Sequence, residues 1–319
     1  MYRAKISGLG KAVPENVVTN DDIALFLDTS DEWISTRTGI KSRHITNKES
    51  VENLATKAAK EAIENSKTSI DDIDLVIIAT VTSDTSMPST ACKVIENLGI
   101  KNAIGFDLAA ACSGFIYASQ VAVSMISSGM KKNVLVIGAE TISKVLNWED
   151  RGTCVLFADG AGAAIYTEGD KENKMSFLAL SGGMSNLITL PIVNENSRYY
   201  STDDKKRYIS MDGREVYKFA TTAVPKNIKE LLENNNLEPD DIDFYILHQA
   251  NERIMDVVAR KLKVDVNKFY KNIETHGNTS AASIPIALYD MKDSIKKGDK
   301  LVLSGFGAGL TWGSMMINW

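Results

Sequence analysis

Apolar positions along the chain recur in two rhythms. Leu75-Val-Ile-Ile-Ala-Thr80, Val134-Leu-Val-Ile-Gly138 and Phe244-Tyr-Ile-Leu247 are short continuous apolar runs, which predict strands buried on both faces. Residues 52–66 and 223–236 space their apolar side chains at helical intervals and predict amphipathic helices. Residues 1–8 read as a first strand. Residues 103–108 predict another buried strand, after which Phe115, Ile116, Ala118, Val121 and Met125 take up helical spacing. Strands apolar on both faces, alternating with helices, imply an α/β fold whose sheets are covered by helices on both sides.

The pattern occurs twice. Asp71-Asp-Ile-Asp-Leu-Val-Ile-Ile-Ala-Thr80 resembles Asp240-Asp-Ile-Asp-Phe-Tyr-Ile-Leu-His-Gln249, each behind an amphipathic helix. Asn133-Val-Leu-Val-Ile-Gly138 resembles Lys300-Leu-Val-Leu-Ser-Gly305 at nearly the same offset. A duplicated α/β unit follows, with halves 1–170 and 171–319 meeting in the polar stretch 169–174. Residues 194–207, rich in Asn, Ser, Asp and Lys, read as an exposed excursion.

Candidate chemistry gathers where strand becomes helix, in Asp107-Leu-Ala-Ala-Ala-Cys112-Ser-Gly-Phe-Ile. Unpaired N–H groups and the helix dipole at such a junction stabilise a thiolate, and the small neighbours of Cys112 leave room for a substrate. A buried structural cysteine is the alternative at this point. His248 ends the strand Phe244–Leu247, where a histidine is either paired or at a cavity. Asn278 opens the second-half counterpart of the Cys112 region, and taken alone could be a helix cap. Two halves related by a pseudo-twofold would bring both helix N-termini towards one centre. His276 reads as a local cap and His44 as a loop residue. The glycines of Gly305-Phe-Gly-Ala-Gly309 match neither a P-loop nor a dinucleotide fingerprint. They suit close backbone approach, with an N–H offered to an oxyanion.

Composition narrows the classes. The 319 residues contain no apolar run of the ~18 needed to span a membrane, and the N-terminus lacks the layout of a signal peptide. Cys92, Cys112 and Cys154 are irregularly spaced, which argues against a disulfide framework and for a reducing cytoplasm. No Cys/His spacing suits zinc, so no metal is expected. A net charge of −5 disfavours nucleic acid as a partner.

Four motifs in order carry a specific resemblance: Ala-Ala-Ala-Cys112-Ser-Gly, His248-Gln-Ala-Asn251, Gly277-Asn278-Thr-Ser-Ala-Ala-Ser-Ile-Pro and Gly305-Phe-Gly-Ala-Gly-Leu-Thr-Trp-Gly313. Together they resemble the β-ketoacyl-acyl carrier protein synthase III family, condensing enzymes that initiate type II fatty acid synthesis on a thiolase-like fold. The resemblance spans essentially the whole chain. It implies two duplicated α/β halves layered α-β-α-β-α, the first carrying the nucleophilic cysteine and the second the histidine and asparagine. It implies a catalytic triad of Cys112, His248 and Asn278, an oxyanion hole from the N–H groups of Cys112 and Ala308, and Phe306 as an apolar wall. The family usually has Gly where Ala308 stands. For coenzyme A it implies Trp33 and Arg151 as an adenine sandwich, Arg37 at a phosphate, and Ala250 and Asn251 along a pantetheine tunnel. Lys218, Arg253 and Lys261, with Arg260 and Lys263, are candidates for an acidic carrier protein. Met87 resembles the residue that crosses a homodimer interface to close the acyl pocket. Its flexible side chain leads us to expect acetyl-CoA as primer with tolerance for slightly longer chains. The implied reaction joins an acyl-CoA to malonyl-acyl carrier protein in the cytoplasm, with the CoA thioester as substrate and no cofactor. The alternatives are a related thiolase-fold acyltransferase using another acceptor, a Cys-His-Asn hydrolase, and a non-catalytic thiolase-fold subunit.

Overall fold

A computed structural model describes residues 2–191 and 208–319, so the 194–207 excursion lies outside the described residues. In the first half, β1 (Tyr2–Ala12), β2 (Leu75–Ala79), β3 (Ile104–Leu108), β4 (Asn133–Thr141) and β5 (Asp159–Glu168) lie in the order β3-β2-β4-β5-β1. In the second, β6 (Lys174–Ser181), β7 (Phe244–Leu247), β8 (Lys300–Gly307) and β9 (Thr311–Asn318) lie in the order β7-β8-β9-β6. Strand β2 is parallel to β3 and β4, as β7 is to β8, while β4–β5 and β8–β9 are antiparallel. A parallel bridge from Tyr245 to Phe269 occupies the place that β3 takes in the first half. The halves join through the start of β1, where Tyr2 and Arg3 pair with Met175 and Lys174.

Seven helices position the site: α1 (Asp31–Thr38), α2 (Val51–Asn65), α3 (Thr90–Leu98), α4 (Gly114–Ser127), α5 (Gly213–Glu233), α6 (Glu252–Leu262) and α7 (Ser283–Met291). Side chains alternate along each strand, so a strand buried on both faces serves two cores. Val76 and Ile78 of β2 point to α2 and α3, packing with Leu54, Ala58 and Val94. Ile77 points the other way, into a core where Phe115 and Ala122 of α4 and Ile284 and Leu288 of α7 meet Leu303 and Met315 of the second half. On the far side, Ile228 and Leu231 of α5 and Ile254 and Val258 of α6 cover Tyr245, Leu247 and Val302. The result is the five-layer α-β-α-β-α arrangement, with α4 and α7 as the shared middle layer.

Two expectations change. Strand β3 is the sheet edge rather than a buried strand, because among the described residues no strand flanks its outer side, and Ile104 is 53% exposed. The helix expected at 223–236 runs from Gly213 to Glu233. Asp212 caps it by accepting from the N–H groups of Arg214 and Glu215 at 3.2 and 3.1 Å, and Val216 and Ala220 extend the apolar stripe backwards.

Candidate active site

Cys112 lies in a single 3-10 turn (Ala111–Ser113) that links β3 to the N-terminus of α4. The end of β8 presses against this turn. A Cβ on Gly307 would come 2.8 Å from the Cys112 nitrogen, and one on Gly305 would come 3.1 Å from its carbonyl oxygen. The glycines therefore serve close approach, as their spacing suggested. The thiol of Cys112 donates to the Ser280 hydroxyl at 3.5 Å. Contrary to the lowered thiol expected at a helix N-terminus, burial pushes Cys112 up to about 12, with the Ser280 hydrogen bond opposing and the Glu140 carboxylate adding to the rise. Loss of water outweighs the favourable junction, so the thiol keeps its proton.

His248 follows β7 and is buried, 2% exposed. Its Nδ1 lies 2.8 Å from the Ser283 hydroxyl, and that hydroxyl already accepts the Gln249 N–H at 2.9 Å. With the hydroxyl proton donated to Nδ1, the ring proton sits on Nε2, the tautomer that offers the cavity a donor. Burial pushes His248 down to about 3, so the ring is neutral. Phe306 packs edge-on against it with centroids 5.3 Å apart.

Asn278 is held by its backbone, which donates to Leu156 and accepts from Ala158, both at 2.9 Å. Its Oδ1 accepts the Ser280 N–H at 2.9 Å, so Nδ2 is the end left to donate. Cys112, His248 and Asn278 all line one cavity of about 1030 Å³, together with Phe306, Ala308, Ala250 and Asn251. His44 and His276 lie elsewhere, their rings tilted against each other with centroids 5.5 Å apart, and His276 is beside Asp290.

Other expected residues are placed less simply. Trp33 and Arg151 do meet, but the guanidinium sits 4.6 Å from the ring centroid, with Arg37 4.5 Å from the same ring. Van der Waals contact requires roughly 3.5 Å on each side of an inserted ring, so the spacing here leaves no room for a ring between Trp33 and Arg151. Arg151 is held in this position by donating to the Asp28 carbonyl at 2.6 Å. Asn251 ties α6 to α1 by donating to the Arg37 carbonyl at 2.9 Å. Met87 is 86% exposed and does not line its own chain's cavity, although its neighbour Ser86 does. Lys218 projects from α5, and Lys261 of α6 donates to the Thr221 carbonyl of α5 at 2.9 Å, whereas Arg253 at the start of α6 donates to the Thr36 carbonyl of α1.

Sequence reasoning missed Glu140, Ser280 and Ser283. The signal for Glu140 was a carboxylate two residues beyond an apolar strand, in Gly138-Ala-Glu140. The serines are legible only once the halves are packed, because their partners lie far away in the chain.

Comparisons with known proteins agree with this geometry. Family models described as 3-oxoacyl-[acyl-carrier-protein (ACP)] synthase III and its C-terminal part match residues 106–183 and 232–319. The chain is 48% identical to the β-ketoacyl-[acyl-carrier-protein] synthase III of Clostridium novyi, covering 100% of both chains, and 46% identical to that of Streptococcus gordonii, covering 99% of both. The crystal structure of 3-oxoacyl-[acyl-carrier-protein] synthase III from Aquifex aeolicus superposes with a TM-score of 0.93 at 43% identity, covering 99% of this chain and 100% of that one.

Proposed function

The chain belongs to the 3-oxoacyl-[acyl-carrier-protein] synthase III family, and from that premise we propose how Cys112, His248 and Asn278 divide its reaction. The enzyme is an acyltransferase that carries out the initiating condensation of fatty acid synthesis. The Cys112 sulfur attacks the acyl-CoA thioester, giving an acyl-enzyme and releasing CoA. The N–H groups of Cys112 and Ala308 receive the oxyanion. Malonyl-acyl carrier protein then loses carbon dioxide, and its thioester oxygen, now enolate-like, accepts from His248 Nε2 and Asn278 Nδ2. The carbanion attacks the acyl-enzyme and leaves as a 3-ketoacyl-carrier protein.

One observation carries this reading: a neutral histidine and an asparagine amide, each with its other polar end already engaged, line the same cavity as the thiol. Two neutral donors favour an enolate oxygen, and neither is set up as a strong base. The division follows the two halves, with residues 1–170 supplying the nucleophile and 171–319 the donors. The CoA thioester is a substrate, and the scheme uses no cofactor.

A homodimer is supported by the exposed edge strand β3, with Ile104 53% and nearby Met87 86% exposed. Met87 would then close the partner's acyl pocket, with acetyl-CoA as the main primer. The carrier protein would dock on Lys218, Arg253 and Lys261. Among the described residues no helix is long and apolar enough to cross a membrane, which accords with a cytoplasmic enzyme. Condensation with radiolabelled malonyl-acyl carrier protein tests the scheme: label in a 3-ketoacyl-carrier protein supports it, and transfer of the acyl group to another acceptor instead refutes it.

A further inference from the structure

We propose that Glu140, acting through the Ser280 hydroxyl, takes the Cys112 proton during acylation and returns it when condensation frees the sulfur. The inference rests on Cys112 being the nucleophile. Glu140 is the penultimate residue of β4 and is fully buried. Among the described residues no cation pairs with it. Its carboxylate accepts instead from the Thr82 hydroxyl, the Thr80 hydroxyl at 3.3 Å, the Val81 N–H at 3.2 Å and the Ser280 hydroxyl at 3.2 Å. The condensing scheme above leaves this carboxylate without a task.

The hydrogen bonds run in one direction. Cys112 Sγ–H donates to Ser280 Oγ, and Ser280 O–H donates to Glu140 Oε1. That is a two-step wire from the nucleophile to an acceptor. Ser280 is fixed for the task by its own N–H, which donates to Asn278 Oδ1, and by Gly138. A Cβ on Gly138 would come 2.2 Å from the Ala281 carbonyl oxygen, so only glycine lets this turn reach β4.

The groups facing Glu140 can be named. Thr80, Val81 and Thr82 come from the end of β2, Ser280 from the turn before α7, and Cys112 from the turn before α4. On β5, Asp159 pairs in register with Thr141 and is bound to Ser143 and Thr46. Neutral His248 lines the cavity that Cys112 and Ser280 also line. Burial lifts the Glu140 carboxyl to about 7, with its hydrogen bonds opposing, so it changes protonation within the working range of pH. Passing the proton along the wire keeps one negative charge in the buried site. Ionising Cys112 beside an already ionised Glu140 would leave two.

The steps balance. As the sulfur–carbon bond forms, the thiol proton moves to Ser280 and the Ser280 proton to Glu140. The bond to CoA breaks, and CoA leaves as a thiolate that takes a proton from water. When the malonyl-derived carbanion attacks the acyl-enzyme, the bond to Cys112 breaks with its electron pair on sulfur. Glu140 then returns its proton through Ser280. Glu140 touches no reacting atom and is a positioning residue for the proton.

Single-turnover acylation by acetyl-CoA, followed by intact-mass spectrometry and peptide mapping across pH, tests the relay in Glu140→Gln and Ser280→Ala. The native rate should rise as the carboxyl ionises near pH 7 and then level off. Both variants should acylate on the order of 10²-fold more slowly, the scale of lost base assistance, and lose that breakpoint. A variant with the native rate and breakpoint overturns the relay. So does a faster Glu140→Gln, which is what simple relief of charge repulsion predicts. Ser280→Ala keeps the carboxylate, so it decides the matter should Glu140→Gln not fold. An acyl group mapped away from Cys112 in the native enzyme refutes the nucleophile itself, whereas equal acylation of Cys112 in all three proteins refutes the relay alone.

Discussion

Replacing Gly307 by alanine places a methyl group 2.8 Å from the Cys112 nitrogen, 3.2 Å from its Cβ and 3.3 Å from the Ala111 Cβ. Comfortable contact lies at roughly 3.5–4.0 Å, so strand and turn must separate by about 0.7 Å. Two of the three contacts are to the nucleophile's own residue, and the displacement therefore falls on the reacting sulfur. Overpacking of this kind costs about 1–3 kcal/mol, from which the lower chain entropy of the unfolded alanine variant removes about 0.4–1. A net loss of about 1–2 kcal/mol leaves the protein folded. Misplacement by 1 Å costs about 10² in rate, so acylation should fall at least about tenfold. The assay is single-turnover acetylation by acetyl-CoA, read beside a thermal melt. Gly183→Ala is the control, because a Cβ there meets nothing within 4 Å. Acylation of Gly307→Ala within twofold of native would refute the view that β8 sets the position of the nucleophile.

Further outcomes follow from the same geometry. His248→Ala and Asn278→Ala should each lower condensation by about 10²–10³, as expected for lost oxyanion donors, and should damage condensation more than acylation, with Asn278→Ala the more harmful to acylation because it releases the Ser280 N–H; equal loss in both half-reactions would assign them a structural role. Glu140→Gln should also alter stability. The folded pKa of Glu140 is raised from 4.5 to about 7, so its protonated form favours folding below pH 4.5 and that contribution disappears as pH rises through 7. The variant's Tm relative to native should therefore climb between about pH 5 and pH 8, by on the order of 3 kcal/mol of stability; a constant difference would show an unshifted carboxyl. Met87→Phe should narrow the acyl-CoA chain lengths accepted, by about 1–3 kcal/mol per methylene of lost room, and an unchanged profile would remove Met87 from the acyl pocket. Charge reversal at Lys218 and Arg253 should raise the KM for carrier protein and flatten its salt dependence, with kcat for acylation untouched.

The architecture was legible wherever a side-chain pattern encodes it directly. The runs at Leu75 and Val134 read as doubly buried strands because Ile77 and Val76 each face a different core. The repeat Asp71-Asp-Ile-Asp and Asp240-Asp-Ile-Asp marked the two halves, and the order of the Cys112, His248 and Asn278 motifs marked the site. Edge position was not legible, since the apolar content of β3 looks the same whether or not a strand lies beyond it. The thiol's environment was misjudged for a related reason. A helix N-terminus is visible in sequence, but the burial that outweighs it, with β8 pressed against the turn, and the Glu140 charge that adds to the rise both come from segments distant in the chain. The adenine sandwich came from the family resemblance and not from the residues themselves, and direct contact between Arg151 and Trp33 appears only when their distance is known.

Peptide mass mapping of the native enzyme after acetyl-CoA, and again after malonyl-acyl carrier protein, tests the central assignment most directly. A single acetyl group on Cys112, absent from Cys112→Ser and discharged into a 3-ketoacyl-carrier protein, is the predicted result. Acetylation of Cys92 or Cys154 instead, an adduct that persists in Cys112→Ser, or discharge to water on adding the carrier protein would contradict it.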